Sequence, residues 1–89
     1  MARFDVMGGD NAVLGEANAS GDVLFQLGMM YSTGSSVPTD YVSAHKWFNL
    51  AAMRGNGDAK RYRMEISQDM TRAEIAEAQR QAREWLSTH

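Results

Sequence analysis

The stretch from Leu27 to Gly55, LGMMYSTGSSVPTDYVSAHKWFNLAAMRG, limits what this chain can fold into more than any other part of it. It holds two amphipathic segments, LGMMYS and YVSAHKWFNLAAM, joined by a Gly/Ser/Pro link too short for anything but a helical hairpin. Leu24, Leu27, Gly28 and Tyr31 fall at i, i+3, i+4 and i+7, which predicts a helix from about Asp22 to Ser32 with those four on its core face. Tyr41, Ala44, Phe48 and Ala51 repeat the pattern, Trp47 and Leu50 widen it, and a second helix is predicted from about Asp40 to Met53. Thr39 or Asp40 can cap its first turn, and Gly55 can close it in the left-handed conformation. Glycine inside a helix costs about 1 kcal/mol against alanine, so Gly28 is expected where another helix backbone approaches, with Trp47 and Phe48 covering the approach.

These residues resemble the Sel-one-like repeat, a cousin of the tetratricopeptide repeat. Leu27-Gly28 and Tyr31 match its first helix. Gly34, Val37, Pro38 and Asp40 follow its Gly-x-Gly-Val-x-x-Asp link, with Ser36 replacing the second glycine. Ala44, Trp47, Phe48, Ala51, Ala52 and Gly55 match its second helix. The run GNGDAKRYRMEISQDMTRAEIAEAQRQAREWL is similar to the terminal segment of a bacterial subgroup of the family, so the resemblance covers roughly residues 19–89. It implies an all-α fold: a hairpin repeat of the α-solenoid type, a degenerate half repeat and a long C-terminal capping helix.

A self-comparison extends the pattern. Gly21-Asp22 recurs as Gly57-Asp58, and the same offset of 36 pairs Val23 with Ala59 and Leu14 with Leu50. Asn11 to Asn18 is therefore read as the worn remnant of a preceding second helix, one or two turns long, within a weakly structured arm over residues 1–20. A third helix is expected from near Asp58 to near Ser67, its core degraded because Arg63 and Met64 stand where Leu27 and Gly28 stand in the full repeat. The last helix has two start signals, the capping box Thr71-x-x-Glu74 and a hydrophobic staple of Met70 with Ile75. Ile75, Ala78, Ala82 and Trp85 form its apolar stripe with Leu86 beside it, while Glu74, Glu77, Arg80, Arg83 and Glu84 face largely to solvent. The expected organisation is an arm over 1–20 and one domain over 21–89, divided into a full repeat (21–55), a half repeat (56–69) and a cap (70–89).

Eighty-nine residues suffice for one small domain, and 44% apolar with 22% charged residues is a globular composition. No cysteine is present, which removes disulfides and thiolate metal sites. The first twenty residues hold no apolar run longer than Ala12-Val13-Leu14, against the roughly 7–15 of a signal-peptide core, so a cytoplasmic location is expected. His45 is the only histidine inside a predicted helix and has no carboxylate three or four residues away; it is read as a half-exposed surface residue. Glu65 and Asp69 lack a third ligand, and Gly55-Asn56-Gly57 lacks the Lys-Ser/Thr of a phosphate loop. No catalysis, cofactor or metal is expected. Arg54, Lys60, Arg61, Tyr62 and Arg63 form a basic run with an aromatic, the pattern of a weak nucleic-acid or anion binder. Its shortness and the net charge of -2 favour a solvated helix face instead.

The resemblance implies a non-enzymatic module, an adaptor or scaffold that holds a protein or peptide partner in a groove built from the first helices of its repeats. Gln26 and Met29 on the first helix, with Tyr62 and Glu65 on the third, are the candidate contacts, because the offset of 36 pairs them. The alternative is a structural subunit that mainly self-associates. Solenoids generally need about three repeats to bury their core, and this chain has one and a half. Leu24, Phe25 and Trp47 or Phe48 would then leave an apolar face, and a homodimer through Phe25 and Met29 would cover it.

Overall fold

The structure is a computed structural model that describes residues 19–89. Four helices follow one another: α1 (Gly21–Thr33), α2 (Tyr41–Met53), α3 (Ala59–Ser67) and α4 (Arg72–Thr88), with no strand among the described residues. The segment expected at Asn11–Asn18 lies outside them.

Each helix end has a local cause. Ser20 Oγ accepts the Val23 amide at 3.2 Å to start α1, and Asp22 in the first turn complements the helix dipole. The chain leaves α1 through Gly34, at φ 76°, and the amides of Gly34 and Ser35 both donate to the Met30 carbonyl. Ser36, standing where the Sel-one-like pattern has its second glycine, also lies in the left-handed region at φ 69°, which is where a glycine would be strain-free. The Asp40 amide then donates to the Tyr31 carbonyl at 2.9 Å and closes the hairpin. Asp40, rather than Thr39, caps α2: its carboxylate accepts the Ser43 amide at 3.2 Å and the Ser43 hydroxyl at 2.9 Å. Gly55 ends α2 at φ 93°, with the Asn56 amide on the Ala51 carbonyl and the Gly55 amide on that of Ala52, a Schellman closure. At α4 the capping box is complete, with Glu74 N–H to Thr71 Oγ1 at 3.1 Å and Thr71 N–H to Glu74 Oε1 at 2.8 Å.

The core is organised around α2, against which α1, α3 and α4 all pack, while α3 and α4 barely meet. Ala44, Phe48 and Ala51 are fully buried along α2, as are Leu24 of α1, Ala59 of α3 and Ala78 of α4. Phe48 covers Gly28 as expected, but Trp47 does not. Consecutive helical residues point about 100° apart, so Phe48 turns toward α1 and α3 while Trp47 meets Trp85 of α4 edge-on at 5.9 Å. Gly28 thus admits an aromatic ring and not a backbone. The close backbone approach is at Gly21, where a Cβ would come within 2.7 Å of the Arg54 carbonyl and 3.0 Å of that of Ala51.

Enclosure of α2 on three sides also corrects the reading of His45. The half-exposed residue expected there is 4% exposed, and its Nδ1 has no hydrogen-bond partner. A single amphipathic stripe would have left it at the edge; the added neighbours widen the buried arc to take it in. Burial, and then the positive charge of Arg63, hold the imidazole pKa below its ordinary 6.5, so it stays neutral at pH 7. Leu86, expected beside the α4 stripe, is 39% exposed, whereas Ala78, Ala82 and Trp85 are buried.

Candidate interaction surface

Two side-chain contacts link α1 and α3, although their backbones, like those of α3 and α4, barely meet. At their starts, Asn56 Nδ2 donates to Asp22 Oδ1 at 2.9 Å, and the same Asn56 side chain accepts the amides of Asp58 and Ala59 at 3.0 and 2.9 Å. Asn56 therefore caps α3 and ties it to α1, although the residue before α3, Asp58, makes no such cap. One turn on, the rings of Phe25 and Tyr62 meet edge to face at 5.3 Å, and both lie against Phe48, at 5.6 and 5.7 Å. Ring triads of this kind add to the burial of their area because edges and faces of opposite partial charge meet.

The four candidate contacts divide by depth. Gln26 is exposed on α1 and Glu65 is exposed on α3. Met29 and Tyr62 are partly buried and pack against the core. The pair of α1 and α3 thus carries a polar residue at the surface of each helix and an apolar one at its seam. Glu65 also faces Arg61, at 3.8 Å, in an exposed pair of little energetic weight. Phe25, expected at a self-association surface, is partly buried by its own chain.

The arginines of the basic run each hold different partners. Arg54 donates to the Ala19 carbonyl at 2.9 Å and lies over the Trp85 ring, at 5.2 Å from its centroid. Arg61 pairs with Asp58 and Glu65, and Arg63 donates to Asn49 Oδ1 of α2. Lys60 is exposed. Helical geometry sends consecutive residues to different faces, so a run of cations along the chain need not be a patch in space. Among the described residues there is no group of three or more histidines and carboxylates placed to hold a metal ion, and no helix is long and apolar enough to cross a membrane. Glu65 and Asp69 do not share a helix, since α3 ends at Ser67.

Sequence reasoning missed Asn56, whose placement in Gly-Asn-Gly at a helix start was a signal for an Asx-type cap. It also missed the meeting of Trp47 with Trp85, which spacing along either helix does not encode.

No curated protein and no solved structure matches the chain. Residues 21–56 match the family model of the Sel1 repeat. Those bounds run from the first residue of α1 through the Schellman turn that closes α2, so the matched segment is the hairpin itself, and this hairpin is similar to a Sel1 repeat.

Proposed function

We propose that the chain is a cytoplasmic, non-catalytic adaptor that binds a protein or peptide partner along the α1–α3 surface, with Gln26, Met29, Tyr62 and Glu65 as contacts and residues 21–89 acting as one unit. Sel1 repeats generally mediate protein–protein interaction and are not catalytic. The observation that supports this surface is the Phe25–Tyr62 contact, in which a ring of α1 meets a ring of α3. Partly buried apolar side chains flanked by exposed polar ones suit a peptide that is gripped along its apolar positions and oriented at its polar ones.

The reading as a self-associating subunit has less to rest on. Leu24 and Phe48, two of the residues expected to need covering, are fully buried, and Phe25 is covered in part by Phe48 and Tyr62.

The test compares the native chain with Gln26→Arg/Glu65→Arg, both immobilised and exposed to lysate of the native host. A discrete protein retained by the native chain and lost by the variant, at unchanged thermal midpoint, is the expected result. Equal retention by both, or retention only of further copies of the chain itself, would overturn the α1–α3 assignment.

A further inference from the structure

Between α2 and α4 lies an open cleft of about 360 Å³, lined by Lys46 of α2 and by Arg80, Gln81, Glu84, Trp85 and Thr88 of α4. No residue of α1 or α3 lines it. One wall is the Trp85 indole, which is held on several sides: Trp47 meets it edge-on, the His89 ring stacks on it at 4.7 Å and 12°, and the Arg54 guanidinium lies 5.2 Å from its centroid. A ring fixed in this way, 7% exposed, offers the cleft a narrow preformed apolar edge that needs little ordering when a ligand arrives.

The charges around the cleft are unequally satisfied. Arg80 gives Nε and Nη2 to the Glu77 carboxylate at 2.9 and 2.7 Å, and its Nη1 stands 3.5 Å from Glu84. Gln81 adds a third hydrogen bond to Glu77. Lys46 is different. Its Nζ lies over the Trp47 ring, 4.2 Å from the centroid, and no carboxylate comes within ion-pair distance of it among the described residues. The side chain is partly buried, and its pKa is lowered by loss of solvent, an effect that Glu84 opposes but does not cancel. A partly buried ammonium with no carboxylate in ion-pair distance gains from one, because a charge-assisted hydrogen bond is about twice as strong as a neutral one.

We propose that the α2–α4 cleft is a second binding surface, which takes an acidic segment of a partner protein, with a Glu or Asp side chain on Lys46 and a neighbouring apolar side chain against Trp85. The volume suits one or two side chains and not a folded domain. The surface is separate from that of α1 and α3, so either assignment can fail without the other.

Trp47 and Trp85 are the only tryptophans in the chain, so intrinsic fluorescence reports on the cleft directly. The probes are acetyl-Leu-Glu-Leu-amide, its Gln analogue and free acetate, each titrated into the full chain. The Glu peptide is expected to give a saturable change that weakens with added salt, as screening of a partly exposed charge requires. The Gln peptide on the native chain, and the Glu peptide on Lys46→Met, are each expected to bind about tenfold more weakly, the loss of one charge-assisted hydrogen bond. Acetate should bind no better than the Gln peptide. Equal affinity for the Glu and Gln peptides, no loss in Lys46→Met at unchanged thermal midpoint, or acetate binding as tightly as the Glu peptide would each overturn the proposal. The comparison of the two peptides needs no variant and holds even if Lys46→Met folds poorly.

Discussion

The ring of Phe48 fills the space that a side chain at position 28 would need: a Cβ built on Gly28 would fall against Cδ1 and Cε1 of that ring. Phe48 cannot withdraw, because it is fully buried between Phe25 and Tyr62. Gly28→Ala is therefore expected to destabilise the protein by about 1–3 kcal/mol through overpacking, although alanine favours the helix by about 1 kcal/mol. In a Phe48→Leu background the cost should shrink. Urea unfolding of the four variants checks this, and a Gly28→Ala protein as stable as the native one would contradict the contact.

Trp85 and Trp47 touch, yet they should not be equivalent. Trp85 is 7% exposed and joins α4 to the core, so Trp85→Ala is expected to cost about 3–5 kcal/mol, in the range for large buried aromatics. Trp47 is only partly buried, and Trp47→Ala should cost less. Chemical denaturation of the two side by side gives the order, and a reversed order would mean that α4 is not held to α2 through Trp85.

At the start of α4, Thr71→Ala removes one of the paired capping hydrogen bonds and is expected to cost about 1 kcal/mol. Thr88 makes only hydrogen bonds back to Glu84 and Trp85 and to its neighbour His89 in the last turn, so Thr88→Ala should leave stability unchanged. Thermal midpoints of the two variants decide whether the helix begins where the capping box places it.

His45 links stability to pH. Its folded-state pKa is depressed below the ordinary 6.5, so the unfolded chain takes up a proton first as pH falls. The contribution of neutral His45 is complete above pH 6.5 and is lost as pH falls from there through the folded-state value. Glu77, held near a pKa of about 2 by hydrogen bonds from Arg80 and Gln81, titrates well below that window. The urea midpoint is expected to fall between pH 7 and pH 5 in the native protein and to flatten in His45→Leu; identical slopes in the two would place the pH dependence elsewhere.

What the sequence determined by itself was local. Asp40 beside Ser43, Gly55 after Ala51-Ala52, and Thr71 three residues before Glu74 set the helix ends, because caps and closures are made by residues within four or five positions of each other. The spacing of Leu24, Leu27, Gly28 and Tyr31, and of Tyr41, Ala44, Phe48 and Ala51, showed which residues share a face; Leu24, Gly28, Ala44, Phe48 and Ala51 are buried, whereas Leu27, Tyr31 and Tyr41 are only partly so. The neighbour each face meets was decided only by the tertiary structure. Three helices surround α2, and that enclosure buries His45, sends Trp47 to Trp85 instead of Gly28, and leaves Lys46 at a cleft where, among the described residues, no carboxylate comes within ion-pair distance of it. It also separates Arg54, Arg61 and Arg63, which lie within ten residues of one another in the chain, onto different partners. Helical periodicity describes one helix at a time, whereas these outcomes depend on residues tens of positions apart being pressed together by the burial of a shared core.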